Sequence, residues 1–256
     1  MKKILSLLMA LTLVISMFAL ASCDNNDDGN PDVDAEGLET LNGKTPEQIY
    51  GASMEAIKLA DEYEIVSNQV IKMGYEGESF TMNQRVVSKI DGDNSYSKIT
   101  DDMSNQESET WYVDGVVYAK EGNNKIKTNL DKEEYMQQYM GKDPTESTLL
   151  DIPESWFKDI RFFEKDGLYT MEFVISAEEY NELFANLGLG VASVNDDVVY
   201  TVYFDKGGNL SKIITEFTIN VQGFSADCVS TSDVTLTDVT VTAPADADSY
   251  TYVELN

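Results

Sequence analysis

The chain has 256 residues, 42% of them hydrophobic and 10% aromatic, and carries 46 acidic against 18 basic residues for a net charge of −28. That composition supports a packed core, while the charge excludes a basic patch for nucleic-acid phosphates. The chain has no histidine, which excludes Ser-His-Asp and Cys-His catalysis and every metal site that needs imidazole.

The N-terminus reads Met1-Lys2-Lys3, then a largely apolar run of 17 residues from Ile4 to Leu20, then Ala21-Ser22-Cys23. Two lysines, an apolar run and small residues before a break form a secretory signal. The run is short of the roughly 20 residues that span a membrane, and acids rather than a basic flank follow it. Leu20-Ala21-Ser22-Cys23 resembles the lipobox of bacterial lipoproteins: a branched apolar residue, two small residues and the cysteine. The resemblance implies cleavage before Cys23, a diacylglycerol on its sulfur, and a lipid-anchored protein on the extracytoplasmic face of the bacterial cell membrane.

The chain is therefore expected to divide into a signal peptide (1–22), a lipidated Cys23 followed by a disordered acidic tether (23–44), and one domain (45–256). Asp24-x-Asn26-x-Asp28-Gly29 matches the first half of a calcium loop. The match then fails, because Ala35 stands where the twelfth position needs a carboxylate and Pro31 interrupts the loop. No metal site is expected. With Cys23 lipidated, as the resemblance implies, Cys228 has no disulfide partner. It reads as a small strand residue, with no neighbouring cation to lower its pKa.

Thr45-Pro46-Glu47-Gln48 opens a helix, with Thr45 as N-cap, Pro46 at the first helical position and Gln48 closing a capping box. The apolar spacing of Ile49, Ala52, Ala56 and Ala60 carries it to about Glu62. About five strands follow. In one, Phe80, Met82, Val86 and Ile90 alternate with Thr81, Asn83, Arg85 and Lys89. Further on, Tyr169, Met171, Phe173 and Ile175 share a face, as do Ile213, Phe217, Ile219 and Val221. Asp91-Gly92, Asp114-Gly115, Asp166-Gly167 and Asp205 to Asn209 mark hairpin turns.

Two acidic helical stretches, Leu130 to Met140 and Ala177 to Leu187, interrupt the strands, and each contains Glu-Glu-Tyr. The shared tripeptide hints at a strand–turn–strand–helix repetition, set against the recurrence of the same turn chemistry by necessity. Apolar positions change parity between Leu236 and Val239, which predicts a bulge or bend near Asp238.

The predicted order is helix, about five strands, helix, two strands, helix, four or five strands, with no linker dividing it. It defines one α+β domain: a large curved antiparallel sheet, an open half-barrel, with the N-terminal helix and two further helices on one face. That order on a lipid-anchored chain resembles the LolA-like lipoprotein-carrier fold, shared with LppX-type lipoproteins. The resemblance rests on the pattern of elements over residues 45 to about 255 and transfers no site residue. It implies a cavity for acyl chains.

Ser95-Tyr96-Ser97-Lys98 and Ser155-Trp156-Phe157-Lys158 match the Ser-x-x-Lys of penicillin-binding enzymes. The first lies in a predicted strand, and the partner motifs of that family are missing. No catalytic residue, enzyme activity or cofactor is expected. The expected function is binding of a hydrophobic ligand, a lipid or acyl chain, with Trp111, Trp156, Phe162, Met171 and Phe173 as candidate lining. The alternative is a cell-surface interaction domain for a protein or glycan. The expected partners are the membrane through the Cys23 anchor and a lipid ligand, with no nucleic acid, and the chain is expected to be a monomer.

Overall fold

The computed structural model describes residues 37–75, 78–103, 106–139, 152–165, 167–186, 192–221 and 224–254. The signal segment, Cys23 and the tether as far as residue 36 lie outside the described residues. The last part of the expected tether is fastened to the domain. Leu38 donates its N–H to the Phe162 carbonyl at 2.7 Å, and Leu41, in a tight turn with Lys44, is buried.

Three helices are described: α1 (Pro46–Leu59), α2 (Lys132–Tyr139) and α3 (Ala177–Asn186). Each opens with a reciprocal capping pair. Gln48 N–H donates to the Thr45 hydroxyl at 3.4 Å while Thr45 N–H donates to Gln48 Oε1 at 3.1 Å. Glu134 N–H donates to the Asp131 carboxylate at 2.8 Å, and Asp131 N–H to Glu134 Oε2 at 3.4 Å. Glu179 N–H donates to the Ser176 hydroxyl at 3.4 Å, and Ser176 N–H to Glu179 Oε2 at 3.3 Å. So in both Glu-Glu-Tyr stretches the second glutamate closes a cap and the tyrosine is the first residue turned inward. Tyr50, Tyr135 and Tyr180 are all buried. Because α2 has 8 described residues, its cap matters: Asp131→Ala is expected to cost about 1 kcal/mol. An unchanged urea midpoint would show that Tyr135 alone holds the helix.

Thirteen strands form one open sheet: β1 (Glu62–Tyr75), β2 (Glu78–Asp91), β3 (Asn94–Asp101), β4 (Gln106–Val113), β5 (Val116–Glu121), β6 (Asn124–Asn129), β7 (Lys158–Lys165), β8 (Leu168–Ile175), β9 (Ala192–Val194), β10 (Val198–Phe204), β11 (Leu210–Val221), β12 (Phe224–Thr235) and β13 (Thr251–Tyr252). Their spatial order is β13-β6-β5-β4-β3-β2-β1-β12-β11-β10-β8-β7, with β9 paired beside β11. Among the described strands every pairing is antiparallel except β13 on β6. The chain meanders outward from β1 to β6, jumps to the far edge at β7, and returns until β12 closes on β1. At the β4–β5 hairpin, Asp114 (φ 51°) and Gly115 (φ 78°) both take left-handed backbone, as a type I′ turn requires.

Alternation divides the sheet into two faces, and α1, α2 and α3 pack on the inner one. The inner register row through the middle of β1 runs Met82–Ile71–Cys228–Phe217 across β2, β1, β12 and β11. All four are buried. The outer face receives the C-terminal segment. The expected feature near Asp238 is a bend: β12 ends at Thr235, Asp238 adopts φ 59°, and the chain then crosses the outer face. Val241 N–H donates to the Asp91 carboxylate at 2.9 Å, and Val239, Val241 and Tyr250 are buried.

Candidate functional site

The inner face has three regions. Along β7, β8, β10 and β11 it is sealed. Phe162 pairs with Met171, Phe173 with Tyr200, and all four are buried. Phe173 stacks on Phe157 at 4.2 Å and on Tyr200 at 4.9 Å, and α1 sends Tyr50 edge-on against Phe157 (5.2 Å) and Phe173 (5.6 Å). Helix α3 adds Tyr180, whose hydroxyl accepts a hydrogen bond from Tyr200 at 3.2 Å.

At the other end, α2 closes a small corner. Tyr135 stacks on Tyr112 at 4.4 Å, and its hydroxyl meets Ser95 Oγ at 2.9 Å. Between these two covers, Ser88, Ile90, Ser97, Ile99, Thr110 and Ala119 share the inner face of β2 to β5 and remain half-buried. This stretch is a band of small hydroxyls and aliphatic side chains that the described helices leave partly exposed. A separate cleft of about 80 Å³ between Leu41, Ile49, Ala52 and Gly208 is far too small for an acyl chain.

Phe162, Met171 and Phe173 are thus brought together in the sealed region, and Trp156 packs half-buried against the same cluster. Trp111 is on the other side of the sheet. It pairs with Tyr96 and Tyr118, lies 6.4 Å from the Tyr250 ring, and is covered by the C-terminal segment. Strand register decides this: Tyr112, one residue later, is the inner one.

The inner positions of β1, β8, β10, β11 and β12 carry no charge, while Asp101 on β3 and Glu121 on β5 lie on the inner face by register. Burial raises the phenols of Tyr50, Tyr180 and Tyr200 and pushes the Cys228 thiol up to about 12, so all four stay neutral at any physiological pH. The cations of the sheet point outward into surface pairs such as Lys98–Glu107 (2.7 Å), Lys89–Glu64 and Lys120–Glu109 (both 2.5 Å), which contribute little stability. Among the described residues no cluster of Cys, Asp and Glu is placed to hold a metal ion.

One inner row breaks the apolar pattern. Gln84, Gln69, Ser230, Thr215 and Tyr200 are successive register partners across β2, β1, β12, β11 and β10. All five are buried. On the neighbouring row Ser67 and Ser232 satisfy each other at 2.6 Å. The sequence reading passed over Gln84 and Thr215, yet each left a visible signal: a polar residue at an inner position of an otherwise apolar alternation, between Met82 and Val86 and between Ile213 and Phe217.

No protein-family model and no curated protein matches the chain. Among solved structures it is similar to LprF from Mycobacterium bovis, at 15% identity, over 78% of this chain and 96% of that one, with a TM-score of 0.40. It is also similar to a LolA superfamily protein from Nitrosomonas europaea, at 11% identity over 77% and 96% of the two chains, TM-score 0.30. A third is an outer membrane lipoprotein-sorting protein domain from Vibrio parahaemolyticus, at 11% identity over 73% and 92%, TM-score 0.24. TM-scores this low do not carry function across, and the geometry of the inner face is the guide to it.

Proposed function

We propose that this protein is an extracytoplasmic lipoprotein, tethered to the membrane through Cys23, that binds a hydrophobic ligand (a lipid or an acyl chain) on the inner face of its sheet and catalyses no reaction. The supporting observation is that the described residues cover that face incompletely. Helices α1 and α3 seal the β7–β11 side and α2 the β4–β6 corner, while Ile90, Ile99 and Ala119 stay half-buried between them. An aliphatic chain laid along this band would complete the burial and gain about 25 cal/mol for each Å² of apolar surface removed from water. The LASC sequence ahead of an acidic segment supports the tether.

Gentle extraction of the full-length protein followed by mass spectrometry of co-purifying lipid tests the reading. About one lipid per chain is expected in the wild type, and at least about tenfold less in Ile99→Asp, because a carboxylate buried beside the chain is costly. Lipid-free wild-type protein would sink the reading. It would leave the surface interaction domain, for which retention of an envelope protein or glycan is the readout.

A further inference from the structure

The polar row across the inner face contains three buried atoms without hydrogen-bond partners: Gln84 Oε1, Ser230 Oγ and Thr215 Oγ1. Their residues are only 3%, 1% and 1% exposed. More than nine-tenths of buried polar groups in folded proteins are paired, so three orphans in one row, two of them register partners and the third beyond one intervening strand, need an account. Chance irregularity is a poor one, because each orphan sits at the same level of its strand. Gln84 is opposite Gln69, Gln69 opposite Ser230, and Ser230 opposite Thr215. The row on one side is apolar (Met82, Ile71, Cys228 and Phe217), and the row on the other runs Val86, Ser67, Ser232 and Ile213, whose two serines satisfy each other. The orphans offer one amide carbonyl that only accepts and two hydroxyls that both donate and accept.

We propose that this row is a head-group subsite for an amphiphile whose head is uncharged and hydrogen-bonding, such as a hydroxyl-bearing ester, with its hydrocarbon chain lying along the half-buried band of β2 to β5. This deepens the hydrophobic-ligand reading above and rests on it. A hydroxyl of the head donates to Gln84 Oε1, and an ester carbonyl accepts from the Ser230 and Thr215 hydroxyls. An ionised head is rejected. Among the described strands every Lys and Arg lies on the outer face or beyond the sheet edge, so a buried anion would have no counter-charge. A cation fares little better, since the nearest carboxylate in register is Asp101 on β3, at the half-buried end of the row. The three atoms are closed to solvent, so entry of the head requires the side chains over them to move.

The test compares three water-soluble amphiphiles of equal chain length, monodecanoylglycerol, decanoate and decylammonium, titrated into full-length protein in lipid nanodiscs. Empty discs are subtracted, and about 0.5 M salt screens the general repulsion of anions by the acidic surface. The expected result is binding of the glycerol ester at least about tenfold tighter than either ion. In Gln84→Leu and Thr215→Val that preference should shrink to within about twofold. The melting temperature of the ligand-free variants should rise or hold, because apolar groups of similar shape replace orphaned polar ones.

Equal affinity for all three amphiphiles, unaltered by the substitutions, would overturn the subsite while leaving the hydrophobic-ligand reading intact. Tightest binding of either ion would overturn it as well. A fall in ligand-free melting temperature would overturn it in favour of a row satisfied by structural water. Failure of every amphiphile to bind would remove the hydrophobic-ligand reading itself, and the subsite with it.

Discussion

Phe173→Ala lowers the stability of the protein by about 3–5 kcal/mol, the range for an aromatic ring removed from a closed core. The ring is 1% exposed. It stacks face to face on both Phe157 and Tyr200 and meets the edge of Tyr50. Truncation therefore loosens β8, β10, α1 and the turn before β7 together. Aromatic pairs add about 0.5–1.5 kcal/mol each beyond the area they bury, which puts the expected loss toward the upper part of the range. Urea unfolding followed by tyrosine and tryptophan fluorescence checks it, with Val199→Ala as a neighbouring control. Val199 is 43% exposed on the outer face of β10, and its truncation should stay within about 0.5 kcal/mol. The same experiment decides the role of Phe173. A ring lining an open ligand channel would lose under about 1 kcal/mol in the ligand-free protein, since its removal would only widen an existing void.

Cys23→Ala is expected to abolish acyl labelling when cells expressing the full-length chain are fed a radiolabelled or clickable fatty acid. Among the described residues no helix is long and apolar enough to cross a membrane. In the proposed reading the firm attachment of the domain therefore depends on the acyl chains. Each buried methylene contributes about 0.8 kcal/mol, so a second chain turns marginal binding into stable anchoring. The effect is all-or-none because Cys228, the other cysteine, is buried within the sheet with its thiol pushed up to about 12 and presents no reactive thiolate. Labelling that survives Cys23→Ala would move the acyl chains to another residue and remove the tether from the proposed function.

The helices and their starts were legible because capping is local chemistry: Thr45 and Gln48 stand three residues apart, and both do in the structure what their spacing predicts. The expected end of the first helix at Glu62 overshoots the observed Leu59, since periodicity tells little about where the last turn frays, while the expected ends at Met140 and Leu187 lie outside the described residues. The sheet, its antiparallel hairpins and the helices on one face followed from alternation and Asp-Gly turns. What alternation cannot supply is register between distant strands. Whether Trp111 or Tyr112 faces inward depends on pairing with β3 and β5, and one residue of slip reverses it. The polar row is illegible for the same reason. Gln84 and Thr215 are 131 positions apart in the chain, and only the pairings through Gln69 and Ser230 show that two isolated interruptions are one feature.

The return of β12 onto β1 sets the order in which this molecule can assemble. Strands β1 to β6 are consecutive hairpins and can pair as soon as each emerges during synthesis or export. The other edge of β1 has to wait: Ile65 pairs with Val234 and Ile71 with Cys228, so this ladder forms only after nearly the whole chain is present. Loop closure over such a span makes its formation slow relative to the hairpins. Until then β1 exposes a 14-residue edge with Ile65 and Ile71 uncovered, a surface prone to pairing with the wrong strand. The hazard in this protein is thus kinetic and brief, concentrated in the interval between completion of the β1–β6 meander and arrival of the last long strand, and a destabilised β12 would lengthen that interval.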